Sequence, residues 1–402
     1  MISTDIVVIG GGCVGLTAAL GLAEQGHQVT VIDAAPAEIE LTEPELRVSA
    51  ISAASEQIFR HLDVWSELEQ QRTAPYQTMK VWDKHSFGSI QFDSEQIGEH
   101  RLGHIIENNN IRNALIKVAK NNSKVMLKFS TSVLAIHNTD DQVLLTLQDG
   151  TPLVAKLCVA ADGANSWVRK QLNTPIRFSD YDHHAMVATV TTTEPHGNCA
   201  RQVFLPQGPL ALLPLSDSHT CSIVWSAEPE FSKSLQTMSD QAFSNAITAA
   251  TDSELGVLTV QSQRPVFPLT MRYAQKWVEG RVVFMGDAAH TIHPLAGLGM
   301  NLGLLDAASL AELVDQDALT GAGLAKALSK YQGWRKAEAQ QYIAAMSALK
   351  ELFAGDNPIK KLIRGAGLFV TDNLPLVKDK IIKQATGVSG KLPELAENRD
   401  QI

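Results

Sequence analysis

The most constraining feature of this chain lies at its start. Ile6-Val7-Val8-Ile9 is a continuous apolar, β-branched run that leads directly into Gly10-Gly11-Gly12-Cys13-Val14-Gly15. The run reads as a buried strand. Gly10, Gly12 and Gly15 stand in G-x-G-x-x-G spacing, residues 16–24 read as a helix, and Gly26 suits its C-cap. Residues 28–32 read as a second strand ending on Asp33. In this register the glycines let backbone approach a pyrophosphate at the helix N-terminus, and the acid can accept from ribose hydroxyls. G-x-G-x-x-G alone is a weak signal, but strand, turn, helix, strand and acid together specify a dinucleotide-binding unit of a doubly wound α/β fold.

Two further strand ends carry Gly and Asp. Residues 154–161 form an apolar strand ending in Asp162-Gly163-Ala164-Asn165-Ser166, with Arg169 shortly after. Residues 281–285 form another, which runs into Gly286-Asp287-Ala288-Ala289-His290 and on through Pro294 to Gly297-Leu298-Gly299-Met300-Asn301. Residues 302–314 are rich in Leu and Ala at helical spacing, so a helix N-terminus with free N–H groups is expected at that loop. Gly297, Gly299 and Gly303 are read as letting backbone approach a flat or anionic ligand, and Asp287 as accepting from sugar-type hydroxyls. Arg47 follows a polar loop and is expected to open a helical segment reaching Leu62. An arginine there either clamps a pyrophosphate or is a solvated surface residue.

Composition narrows the class. With 402 residues, 45% hydrophobic and 19% charged, the chain suits a globular protein of two interlocked domains. A formal net charge of −9 excludes a nucleic-acid binder, which needs Lys and Arg against phosphates. Cys13, Cys158, Cys199 and Cys221 lie far apart without CxxC spacing, which points to reduced thiols. No basic leader segment or long apolar span is visible, so a cytoplasmic location is expected. His183-His184 and the pair His290 and His293 lack further ligands at metal-site spacing and read as structural hydrogen-bonding groups.

The three motifs in this order resemble the group A flavoprotein aromatic hydroxylases, typified by para-hydroxybenzoate hydroxylase, over residues 6–335. More narrowly, Leu46-Arg47-Val48-Ser49-Ala50-Ile51, Val81-Trp82-Asp83, His104-Ile105-Ile106-Glu107-Asn108, Ala161-Asp162-Gly163-Ala164-Asn165-Ser166 and His290-Thr291-Ile292-His293-Pro294-Leu295-Ala296-Gly297 resemble the ubiquinone-biosynthesis branch, and within it the 2-polyprenylphenol hydroxylases. The resemblance implies bound FAD, with Gly10, Gly12, Gly15 and Asp33 on its ADP half and Arg47 near the pyrophosphate. It implies Gly286 and Asp287 at the ribityl chain, Gly297, Gly299, Met300 and Asn301 along the flavin, and Asp162 linked to flavin and NADPH handling. It implies hydroxylation of a polyprenylated phenol with NADPH or NADH and O2, through a flavin 4a-hydroperoxide. One departure stands out: Leu298 occupies the position between Gly297 and Gly299 where the branch usually has Gln. Backbone donors survive that change, whereas a side-chain amide contact does not.

The expected organisation is a discontinuous FAD domain (1–75, 100–175, 270–345), an inserted, mostly antiparallel sheet for substrate (76–99, 176–269) and a C-terminal helical tail (346–402). Within the tail, 358–383 mixes Leu362, Phe369 and Val370 with Lys360, Lys361, Arg364, Lys378, Lys380 and Lys383. Such a stretch suits an anionic membrane surface or a quinone-biosynthesis protein assembly, or equally a helix capping the core. No Ser–His–Asp or Cys–His pattern suggests a catalytic base. Two alternatives remain: a flavin-free NAD-dependent dehydrogenase, which would be colourless, and a flavoprotein scaffold, which would be yellow but inert.

Overall fold

The computed structural model of the chain describes residues 1–37, 45–291, 298–319 and 322–353, and beyond them 374, 378–379, 381–383, 386–387 and 390–398. The strand Ile2–Ile9 is the centre of a parallel sheet. It pairs with Val29–Ile32 on one side and Pro152–Ala160 on the other, so that Ile6 lies between Val29 and Leu157. Val125–Lys128 extends the sheet beyond the second strand, and Val282–Phe284 extends it beyond Pro152–Ala160. Ile6, Val7 and Val8 are all fully buried. Both faces of that strand are therefore covered, which is what an apolar run without alternation encodes. An antiparallel hairpin, Val133–Asn138 with Val143–Leu147, adds to the first half of Pro152–Ala160.

A second, nine-stranded sheet is drawn from 78–93, 176–274 and 290–291. Among its described pairings only Thr78–Asp83 with Cys199–Leu205 is parallel. Alternate residues Val203, Leu210, Leu212, Ile223 and Trp225 pack beneath Leu235, Phe243 and Ile247 of the helices Pro229–Thr237 and Asp240–Ala250. The other alternate set, Gln202, Ala211 and Val224, is aligned by register in one row and faces away from those helices.

A third sheet joins Val48–Ser52, Gly103–Glu107 and Thr73–Tyr76, all antiparallel. This corrects the helix expected from Arg47. Val48 and Ile51 pair with Glu107 and His104 instead, and the helix Ala53–His61 starts only at Ser52, whose hydroxyl accepts from the Ser55 N–H. Tertiary pairing decides the state of a short β-branched run next to a cap.

The helix Leu298–Leu313 packs against Cys13–Glu24 and against Ala322–Phe353. From Asn301 to Ala311 every residue is buried. The helix Ala322–Phe353 runs unbroken through 345–346, where the tail was expected to begin. Of the tail's basic residues, Lys378 is buried and Lys383 exposed, whereas Lys360, Lys361, Arg364 and Lys380 lie outside the described residues. No helix among the described residues is long and apolar enough to cross a membrane. All four cysteines are free.

Candidate active site

The strands Ile2–Ile9, Pro152–Ala160 and Val282–Phe284 are adjacent and parallel, so their carboxyl ends and the three Gly/Asp turns lie side by side. Close backbone approach holds the first turn against the second. Gly10 has φ +112, and a Cβ on it would stand 2.2 Å from the Ala161 carbonyl oxygen. A Cβ on Gly15 would stand 2.0 Å from the Gly10 oxygen. Asp33 accepts from the Gly11 N–H and, at 2.7 Å, from the Ala35 N–H. It therefore shapes the turn itself, and the remaining lone pairs of a carboxylate stay available for a ligand. Arg112, buried, donates to Gly11 O at 2.9 Å, to Pro36 O at 2.9 Å and to Ala37 O at 3.0 Å, and lies over the Phe129 ring. The sequence reading missed it; an arginine next to Ile111 on the apolar face of the amphipathic helix Asn108–Asn121 was the available signal.

The second and third turns are joined by Arg169. Its guanidinium donates to Ala164 O and to Ala288 O, each at 2.7 Å. Asp162 accepts from the Val168 N–H at 3.1 Å through one oxygen, while its other oxygen is buried without a hydrogen-bond partner.

The third turn rests on a buried ionic cluster. Asp306 accepts from the Gly286 N–H at 3.0 Å, is 2.6 Å from His290 Nε2, and accepts from Arg335 Nε at 2.8 Å. Arg335 also pairs with Glu338, and His290 stacks on Trp277 at 4.9 Å between ring centroids. Burial alone would raise the Asp306 pKa, but the charges and hydrogen bonds of His290 and Arg335 hold it below the ordinary carboxylate value. Asp306 is the single charged residue between 298 and 311, and that isolation was its only trace in the sequence.

Asp287, next in the chain, is treated oppositely. Its side chain remains exposed, yet the surrounding walls withdraw the carboxyl from bulk water and raise its pKa, with His290, Arg47 and Arg272 opposing the shift. Arg47 is exposed, and its guanidinium lies 4.7 Å from the Phe267 ring centroid.

Of the remaining expected site residues, Gly297 lies outside the described residues. Gly299 is open, with nothing within 4 Å of an added Cβ, and Met300 packs against the main core. Asn301 donates to Ala50 O at 2.7 Å and accepts from the Ser52 N–H at 3.0 Å, so its amide ties the helix Leu298–Leu313 to the strand Val48–Ser52. Gly303 was expected to face a ligand. It instead lets the helix approach its neighbours, since a Cβ there would meet Val14 at 2.6 Å and Gly286 Cα at 3.3 Å. His290 has the structural hydrogen-bonding role expected for it, and His183 Nδ1 lies 2.8 Å from Tyr181 O.

Between the strand Val48–Ser52 and the second sheet lies a cavity of about 120 Å³. Val48, Ala50 and Ile105 form one wall, and Met79, Ala200, Gln202, Ala211, Leu213 and Val224 the other.

Comparison with known proteins agrees with this architecture. The model of the family described as FAD binding domain matches residues 3–346. The p-nitrophenol 4-monooxygenase PnpA of Pseudomonas putida DLL-E4 superposes with a TM-score of 0.77 at 19% identity, covering 97% of this chain and 100% of that one. Fold and family together define an FAD-dependent aromatic-ring monooxygenase. Similarity over the full length goes further. The chain is 34% identical to 3-demethoxyubiquinol 3-hydroxylase of Escherichia coli (strain K12), covering 96% of this chain and 99% of that protein. It is 32% identical to the mitochondrial ubiquinone biosynthesis monooxygenase COQ6 of Danio rerio, covering 95% and 89%. The chain belongs to the FAD-dependent hydroxylases of the ubiquinone-biosynthesis family. A flavin-free dehydrogenase is thereby set aside.

The residues present fit FAD. A Cβ on Gly12 would meet no atom within 4 Å, so nothing in the protein's own packing requires glycine there. No side chain caps the N-terminus of Cys13–Glu24 and no acid occupies its first turn, which leaves that end positive for an anion.

Proposed function

We propose that this enzyme hydroxylates the aromatic ring of a polyprenylated phenol on the route to ubiquinone, using NADPH or NADH and O2. The observation that carries the reading is the apolar cavity, which shares the strand Val48–Ser52 with the helix expected along the flavin. Ala50 faces the cavity and, through its carbonyl, receives the Asn301 amide. The names of the relatives, a demethoxyubiquinol hydroxylase and a ubiquinone biosynthesis monooxygenase, support the same substrate class.

Bound FAD, once reduced, supplies the oxygen transfer from O2. The chain's own residues bind and orient. The turn closed by Gly10 and Gly15, with Gly12 and Asp33, would hold the ADP half, Arg47 the pyrophosphate and Asp287 the ribityl hydroxyls, and the first N–H groups of Leu298–Leu313 would favour negative charge on the flavin. Asp162 keeps one buried carboxylate oxygen without a partner among the described residues. The side chains of Val48, Ala50, Leu213 and Val224 exclude water from the ring. Tyr76, whose phenol is pushed up to about 12 by burial, stays protonated at neutral pH at the cavity's edge. The test is to add short-chain prenylated phenols to the FAD-loaded enzyme and follow NAD(P)H oxidation and oxygenated product by mass spectrometry. Substrate-stimulated oxidation with one added oxygen atom is expected; yellow protein with no stimulation by any prenylated phenol would leave the scaffold reading.

A further inference from the structure

The cavity wall contributed by the second sheet is mostly apolar, and Gln202 stands in the middle of it. Gln202 lies in the row Val81, Gln202, Ala211, Val224, fixed by strand register and facing away from the covering helices. Its neighbours across the strands are a valine and an alanine, and it is only 8% exposed. Among the described residues no protein group takes up its side-chain amide. Its amide atoms are not among the buried unpartnered groups of the described residues, so they open into the cavity and keep their hydrogen-bonding capacity for whatever enters it.

The other polar groups of the cavity are disposed differently. Arg201 points to the opposite face, where its guanidinium donates to His196 O at 2.9 Å and Cys199 O at 3.0 Å. Tyr76 belongs to the small sheet at the cavity's edge and is half-buried. Ser226 is buried two residues along its strand from Val224, on the same face but two strands away from Gln202. Gln202 is thus the long, uncommitted hydrogen-bonding side chain in the middle of the wall. Ala211 beside it leaves space above the sheet for a flat ring.

We propose that the Gln202 amide is the group that holds the ring oxygen of the substrate, and thereby decides which ring carbon is presented for hydroxylation. An amide both donates and accepts, so it can hold a phenol as donor or acceptor without a buried charge. One anchored oxygen on an otherwise slippery apolar wall removes rotation of the ring within its plane, which positioning of a single carbon requires. The inference rests on the phenol-hydroxylase reading above.

The test separates the two. Binding of 2-allylphenol and of allylbenzene, which lacks the ring oxygen, is measured from the flavin absorbance change of the FAD-loaded enzyme. The wild type is expected to prefer the phenol by about tenfold, the scale of one neutral hydrogen bond in a dry site. Gln202→Met keeps the volume and should abolish that preference while binding allylbenzene normally; Gln202→Leu serves the same purpose should the methionine variant fail to accumulate. Val224→Ala, which alters the wall without touching a hydrogen bond, should weaken both ligands alike. In turnover with a prenylated phenol, Gln202→Met should release more hydrogen peroxide per NAD(P)H and scatter the position of hydroxylation. A wild type that binds and hydroxylates the phenol, with the preference intact in Gln202→Met, overturns the role of Gln202 alone. A wild type that neither binds nor oxidises any phenol overturns both readings.

Discussion

The first and third glycine turns flank the second and are held by opposite means. The first is fixed sterically: Gly10 and Gly15 sit where a Cβ would overlap backbone oxygens at 2.2 Å and 2.0 Å. The third is fixed electrostatically: the Gly286 N–H is anchored by Asp306, itself balanced by His290 and Arg335. A steric device is written into the residues of the turn. An ionic device is written into residues far downstream, and it becomes visible only when the helices Leu298–Leu313 and Ala322–Phe353 pack together.

The largest expected effects come from the steric turn. Gly10→Ala should abolish accumulation of folded protein, because the new methyl meets a main-chain carbonyl that no rotamer change can move, at a φ of +112. Gly12→Val should leave the melting temperature of the apoprotein unchanged while removing FAD, since only ligand space is filled. Equal behaviour of the two variants in apoprotein melting and FAD content would break the distinction between glycine for fold and glycine for ligand.

Next comes the ionic turn. Asp306→Asn leaves buried Arg335 with Glu338 as its remaining carboxylate and His290 without its partner, for which about 3 kcal/mol of destabilisation is expected in urea unfolding at neutral pH. The folded Asp306 pKa is depressed below its ordinary 3.8, so its stabilisation is present above that value and fades as pH falls below it. The gap between wild type and Asp306→Asn should therefore narrow in acid, whereas a gap constant with pH would mean that the carboxylate charge is not what holds the turn.

The smallest effect, and the most local, belongs to Asp287. Asp287→Ala should weaken FAD binding by about 1.5–3 kcal/mol, the range for a hydrogen bond to a charged group. Because its folded pKa is raised by desolvation, ionised Asp287 lowers stability above that pKa, and the strain is relieved as pH falls. Removing it should leave the apoprotein as stable as before or slightly more so. A large loss of apoprotein stability would show that Asp287 belongs with the Asp306 cluster rather than with the ligand.

By itself the sequence determined the parallel strands, the glycine turn at 10–15, the helix after it and the flavin hydroxylase family. Each of these is carried by neighbours in sequence: β-branched runs, missing Cβ atoms and motif order. Where long-range pairing competes with local propensity, it did not suffice. The strand Val48–Ser52 was read as helix because its partner, Gly103–Glu107, lies some fifty residues on and supplies the hydrogen bonds that decide its state. Gly303 was read as facing a ligand when it serves helix packing against Val14, and Asn301 has its amide directed into a neighbouring strand. The pairing of Asp306 with His290 and Arg335, the carbonyls that Arg112 clamps and the place of the Gln202 amide in the cavity wall could not be read from sequence for the same reason. A charge or an amide acquires its meaning from what surrounds it after burial, and burial is a property of the packed chain.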